Sequence, residues 1–407
     1  ILPGSSISVV NDEAIECMEG VVDRARALGV AALEALGATD GGERILLANT
    51  LSWDRDGELL LEGIPNGKGI PGAVCQWIES IDGQRRLAVS GPTVPALGAR
   101  VLPLADGPDQ AQSPFTVTDE QIATPLLRVR FDGEGRIVSV FDQQAGRDVC
   151  IPGGAINALL IGEDVPLAHD NWDIDADQDL KMETDHRLLS RKVVADGPLQ
   201  LRIRSEYEIG LRSRLVQDMV LHSASKQIDF ETRVEWAEGY RLLKAAFDIN
   251  VAAAEARHEI QYGHVARPTH TNRPEDRAMF EVANQKWTDL SDNGYGVALL
   301  NDCKYGIRAS GSRLALSLIK SNRHPDDRGD AGTHFFTYSL LPHEGPFGVE
   351  SVIRPAYELN IGPIVAPAGD GAEDLASLLT VDAANVIVEA VKWAEDGSGF
   401  VVRLYEA

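Results

Sequence analysis

Three stretches of this chain carry side chains whose types and spacing could do chemistry. The first runs from His264 to Arg273, where His264 and His270 bracket Arg267 and are followed by Asn272 and Arg273. Imidazole, guanidinium and amide groups each offer directional hydrogen bonds, which suits a ligand rich in hydroxyls. The structural alternative is that Arg267 pairs with Glu275 or Asp276 and orders a turn. The second stretch is acidic: Asp170, Asp173, Asp175, Asp177 and Asp179, beside His169 and Trp172. Its DIDADQD core superficially resembles a calcium loop but lacks the glycine and the terminal glutamate at the EF-hand spacing. A solvent-facing acidic loop is the expectation there, and no metal ligand is assigned. The third is Trp287 with Asp289, either a stacking ring beside a hydroxyl acceptor or a tryptophan packed between domains, with packing preferred. Asp173, Arg267, His270, Asn272, Trp287 and Asp289 are the candidates for binding a substrate or walling a cleft, and no catalytic residue is assigned.

The elements that must position these groups are mostly strands. From Phe115 to about Tyr357, runs of Val, Ile, Phe and Tyr alternate with charged residues at a period of two, as in half-buried strands. Strands are expected at Ala278–Val282 and Gly296–Asn301 among many others, giving a large antiparallel sandwich over 111–360. A smaller β domain is expected over 43–110, closing with the linker ADGPDQAQSP, and a C-terminal β segment over 361–407. A strand there, Phe400–Tyr405, needs a ladder neighbour, so that segment reads as incomplete. Residues 1–42 differ in kind. Ile15, Met18, Val22, Ala25, Leu28, Ala32 and Leu36 recur at steps of three and four, one apolar stripe on a helix from about Asn11, its N-cap, to Leu36, with Gly37 as the stop. No second long amphipathic helix follows, so the stripe must meet a sheet or helices outside this chain.

The bulk numbers narrow the partners. The chain has 407 residues, 44% hydrophobic and 25% charged, enough for several domains. Its formal net charge of −24 would repel nucleic acid and anionic membranes, and both partner classes are set aside; a neutral ligand is compatible. The 4 cysteines, Cys17, Cys75, Cys150 and Cys303, have no close spacing and read as free, mainly buried thiols in a reducing compartment. With no visible targeting segment, a cytoplasmic location is expected.

Several stretches together resemble glycoside hydrolase family 38, the zinc-dependent α-mannosidases, in their bacterial form. They are ERILLANTLSWDR from Glu43, the pattern L-x-V-x-F-D-x-x-G-x-I-x-S-V-x-D from Leu127 to Asp142, EDVPLAHDNWDID from Glu163 to Asp175, EWAEGYRLLKAAFDIN, RPTHTNRPEDRAMFEV, and FEVANQKWTDLSDNGYGVALLNDCKYG from Phe280 to Gly306. The resemblance covers nearly the whole chain. It implies a mainly β fold: a large antiparallel, galactose-mutarotase-like sandwich with smaller β domains before and after it, plus one helix left from a helical bundle. It also implies that ILPGSS, Ile1 to Ser6, lies directly after the last zinc ligand, so that the N-terminal catalytic domain of the same polypeptide is a partner missing from this chain.

The expectation for function follows from that resemblance. The parent enzyme would hydrolyse terminal α-mannosides with retention, which requires a nucleophilic carboxylate and an acid on opposite sides of the bond. Zinc is expected in the intact parent and no cofactor in this chain, which alone would be inactive; an oligomer is possible. Two alternatives stay open: a free-standing carbohydrate-binding or structural β-sandwich protein, and a mutarotase- or lyase-like enzyme using the large sandwich.

Overall fold

A computed structural model describes residues 6–39, 41–107 and 111–407. The start of the ILPGSS stretch, residues 1–5, and the centre of the linker, 108–110, lie outside the described residues. The first element is a helix of 28 residues, Ser8–Ala35. Asn11 is not its cap: Ile7 holds that position without a side-chain cap bond, and the Asn11 amide instead donates to Asp326 at 2.9 Å. Gly37 does stop the helix. Its φ of +94° is open to glycine, and a Cβ there would sit 2.8 Å from Ala372 Cα.

Among the described residues, the helix is held only at its ends. Leu33 and Leu36 pack on Leu46, Ala99, Ala368 and Ala372. Between the ends no residue is buried, and Ile15, Met18, Val22 and Leu28 are 50%, 59%, 46% and 73% exposed. Most helices in proteins take their stability from packing an amphipathic face. Among the described residues, nothing covers this one.

The first β unit contains the sheets Leu59–Leu61, Arg85–Ser90, Val74–Glu79 and Ile364–Pro367, Arg44–Asn49, Gly98–Pro103. Ile45, Leu47, Leu59, Leu61, Leu87 and Val89 form its core. One of its strands therefore comes from beyond the large sandwich, and residues 361–407 do not stay together. Ile364–Pro367 pairs with Arg44–Asn49, whereas Val386–Trp393 and Phe400–Glu406 form a hairpin of their own.

The large sandwich is antiparallel throughout. Its nine-stranded sheet runs His186–Asp196, Gln200–Ile209, Ser213–His222, Ile228–Trp236, Gly332–Glu344, Tyr295–Asn301, Trp287–Ser291, Glu255–Ile260, Gly263–Pro268. Facing it are a six-stranded sheet built around Ala158–Glu163, Arg241–Asp248 and Arg313–Lys320, and a five-stranded meander around Leu127–Phe131 and Ile137–Asp142. Phe230, Phe247 and Tyr338 meet at the centre, with ring centroids 5.4 to 6.1 Å apart. Tyr295–Asn301 is buried along its whole length because both its faces are covered. Val297 and Leu299 enter the main core, while Ala298 and Leu300 pack on Val352, Ile353, Ala356 and Tyr357. The strand expected at Ala278–Val282 does not form. Pro274–Ala278 is a short helix, started by Pro274 and by the Asp276 carboxylate, which accepts the Arg273 N–H at 3.1 Å, and only Val282–Ala283 is strand.

Candidate functional site

The acidic loop, the helix start and one further loop come together at one end of the six-stranded sheet. Glu163, Arg241 and Lys320 end or begin neighbouring strands there. The chain leaves Glu163 into the acidic loop and leaves Lys320 into the loop 321–331. Asp164, fully buried, receives Lys320; burial still pushes its carboxyl above the usual range. Asn322 donates to the Asp170 carbonyl, and the Asn171 N–H to the His324 carbonyl at 3.2 Å, so the two loops are fastened to each other.

The second loop in turn holds the helix. Asp326 accepts from Asn11 at 2.9 Å and from Arg328 at 3.0 Å, and Arg328 reaches Asp12 at 2.9 Å and the Ser8 carbonyl at 3.1 Å. Arg328 and then Asn11 hold the Asp326 carboxyl down at about 2. Because that value is depressed, the tether is complete above the ordinary carboxylate range of about 4 and is lost as pH falls through about 2. Arg328→Ala is expected to speed amide exchange over the first turns of the helix by roughly tenfold while leaving the main unfolding transition in place. Unchanged exchange would mean that other contacts hold the helix start.

Asp173 lies in this corner, exposed, its carboxylate accepting the Ile174 N–H at 3.0 Å. Trp172 beside it is 55% exposed. Asp179 pairs with Arg308 at 2.7 Å, Asp177 with Lys181 at 3.1 Å, and Asp175 accepts the Leu167 N–H at 3.3 Å. Asp173, Asp175, Asp177 and Asp179 thus face separate partners. Among the described residues, no group of three or more His, Cys, Asp or Glu side chains is placed to hold a metal ion.

The other candidates are elsewhere. Tyr240 and Ser321 mark the acidic-loop end of Arg241–Asp248; Ile249, Ser312, Gly311 and Thr269 meet at its opposite end. Eight residues of strand separate these ends by roughly 23 Å. His270 and Asn272 follow Thr269, so they and Asp173 do not line one site. Arg267 pairs with neither Glu275 nor Asp276 but donates to the Ala283 carbonyl at 3.0 Å; Arg273 is the partner of Asp276, at 2.7 Å, with His270 Nδ1 3.5 Å away. Trp287 and Asp289 are inside, 1% and 0% exposed. Trp287 packs against Phe347 with centroids 4.9 Å apart, and Asp289 accepts from Ser291 at 2.6 Å and lies 2.9 Å from His343 Nε2. Cys17 and Cys303, expected among mainly buried thiols, are exposed.

Sequence reasoning passed over Asp326 and Arg328. The run Asp326-Asp327-Arg328-Gly329-Asp330 reads as a solvated charged turn, and only its distance to Asn11 and Asp12 gives it a role.

Comparison with known proteins agrees with this architecture. The family model described as Glycosyl hydrolases family 38 C-terminal domain matches residues 122–328. Alpha-mannosidase 2C1 of Homo sapiens is 36% identical over 423 residues, covering 100% of this chain, and Alpha-mannosidase G of Dictyostelium discoideum is 39% identical over 303 residues, covering 71%. The chain spans 39% and 27% of the lengths of those two proteins. The crystal structure of an alpha-mannosidase from Enterococcus faecalis V583 superposes with a TM-score of 0.77 over 98% of this chain and 55% of that one; at 13% identity the likeness speaks for the fold. With the match running from the meander through the loop that holds the helix, the chain belongs to glycosyl hydrolase family 38, in its C-terminal domain.

Proposed function

We propose that this chain is the C-terminal, non-catalytic part of a longer α-mannosidase that cleaves terminal α-mannosides with retention. The observation that carries the reading is the uncovered apolar face of Ser8–Ala35. At the helix start the acidic loop adds Val165, Leu167, Trp172 and Leu180, which are 51%, 96%, 55% and 88% exposed. Large apolar side chains left exposed in this number mark an interaction site, here for a catalytic domain of the same polypeptide. The names of the relatives supply the α-mannosidase class, and the retaining course belongs to the proposal.

On this reading the corner formed by Asp173, Trp172, Asp326 and Arg328 borders the sugar cleft. Arg267, His270 and Asn272 belong to a separate surface, and Trp287 and Asp289 act from within by packing. A retaining glycosidase needs two carboxyl groups about 5 Å apart, and that pair is assigned to the companion domain. The zinc is assigned there too. Cytoplasmic residence belongs to the same reading, and the free cysteines suit a reducing compartment.

The test is hydrolysis of an aryl α-mannoside by the purified chain with added zinc, beside a form extended upstream in its own reading frame. The chain alone is expected to stay at background while the extended form turns over. Turnover by the chain alone, or an inactive extended form that is folded and zinc-loaded, would sink the proposal.

A further inference from the structure

The large sandwich contains a blind pocket that the reading above does not use. An outer vestibule of about 950 Å³ opens between the turn at 131–136 and the strand His186–Asp196. It narrows past Phe131, Gly135, His186 and Arg191 into an inner chamber of about 40 Å³ between the sheets. The vestibule is in the size range of small-ligand sites, and the chamber takes a few waters or one carboxylate group.

The floor of the chamber is polar, although it lies in the main core. Asn157 donates to Gln217 at 2.7 Å and accepts from Tyr338 at 2.7 Å; Gln217 donates to Thr232 at 2.8 Å and to Tyr338 at 2.9 Å. Asn157 holds this position with φ +58°, a conformation asparagine tolerates better than most residues. Burying amides in a hydrophobic core is costly unless they are paired. Here they pair with one another and form a neutral floor.

The walls differ, because they have hydrogen-bond donors left over. Arg191 has neutral partners only: its Nε donates to Ser205 Oγ at 3.1 Å, its Nη2 to the Gly135 carbonyl at 2.7 Å, and its guanidinium lies 4.3 Å from the Phe131 ring. Gly135 makes this approach possible, since it sits at φ +81° and a Cβ there would lie 2.7 Å from Leu188 Cδ2. The rim acids Asp132 and Glu134 turn instead to Arg136, at 2.7 and 3.4 Å. In a chain where 62 acids outnumber 38 bases, an arginine facing a cavity with neutral partners is conspicuous. Ser205 Oγ already accepts from Arg191, so its proton is free to donate. Burial keeps the His186 ring neutral, with a single N–H, so its unpartnered Nδ1 is not counted among the donors; the ring stands edge-on to Tyr207 at 5.5 Å.

We propose that this pocket binds a small carboxylate of sugar-acid size, with its carboxylate in the inner chamber against Arg191 and Ser205 and its hydroxylated body in the vestibule. A donor-rich wall around one arginine matches the geometry of a carboxylate, which accepts only. A neutral sugar would leave the guanidinium without a counter-charge. All of these residues belong to this chain, so the proposal holds or fails independently of the reading as part of a mannosidase.

Calorimetric titration of the chain with D-glucuronate, and with D-glucose as its neutral counterpart, tests the idea. Glucuronate is expected to bind and glucose to give no heat. Arg191→Gln is expected to weaken glucuronate binding roughly tenfold or more, the loss for a charge-assisted hydrogen bond, and Arg191→Lys less. Hydrogen exchange gives an independent readout should Arg191→Gln fail to fold. Glucuronate should protect the strands His186–Asp196 and Gln200–Ile209. Equal binding of the two sugars, no binding of glucuronate, unchanged affinity in a folded Arg191→Gln variant, or protection confined to other strands would each overturn the proposal.

Discussion

Replacing His222 by alanine will lower the unfolding free energy by about 3–5 kcal/mol, the usual cost of removing one partner from a buried ionic cluster. His222 ends the strand Ser213–His222 under the first β unit. Its Nδ1 lies 3.2 Å from Glu58 of that unit and its Nε2 2.8 Å from Asp229 of the sandwich. Asp229 also accepts from Ser339 and Gln227, and Glu58 from Gln200. Removing the imidazole leaves two shielded carboxylates facing each other across a domain boundary. Burial alone would discharge His222, but Glu58 and Asp229 outweigh it and raise its pKa to about 10. Burial also works against the Asp229 carboxylate, and His222 reverses that, holding it below its usual range.

The signs then follow by linkage. A raised histidine contributes fully below its ordinary value of about 6.5 and loses that contribution as pH rises through about 10. The depressed Asp229 contributes above about 4 and loses its share as pH falls. Urea unfolding of wild type and His222→Ala should therefore differ most between these limits, and the gap should close above about pH 10. A gap below about 1 kcal/mol at neutral pH would show that the cluster does not lock the two units together.

Trp287→Ala is expected to cost about 3–5 kcal/mol and Trp287→Phe clearly less, as for a large aromatic removed from a core. The ring is 1% exposed and packs with Ala298, Leu300, Val352 and Ile353 under the segment 349–360. A ring placed on the surface to stack on a ligand would change stability by only about 0.5 kcal/mol when truncated. The urea midpoint separates the two cases, and a small shift would return Trp287 to the surface candidates.

The strands were legible because their chemistry is local. In Leu127–Phe131, buried leucine and valine alternate with exposed arginine at the spacing that sends successive side chains to opposite faces. The helix stripe was equally plain, and Gly37 marked its end. Asn11 misled because a cap needs only its neighbours, whereas Asp326, 315 residues away in sequence, offered its amide a better partner. Arg267 misled in the same way: nearby acids suggested a pair, but Asp276 was taken by Arg273, three residues before it.

The sequence by itself determined the family, the mainly β architecture and the long amphipathic helix. Periodicity, turn residues and motif wording are read along the chain, and those properties live there. Only the tertiary structure decided that Asp173 and His270 occupy opposite ends of a sheet, that Trp287 and Asp289 are buried, that Ile364–Pro367 returns to the first β unit, and that Arg191 faces a cavity beside neutral partners. Each of these depends on which strands become neighbours and in what register. That pairing is a long-range choice, made by burying apolar faces together, and no local stretch of the chain encodes it alone.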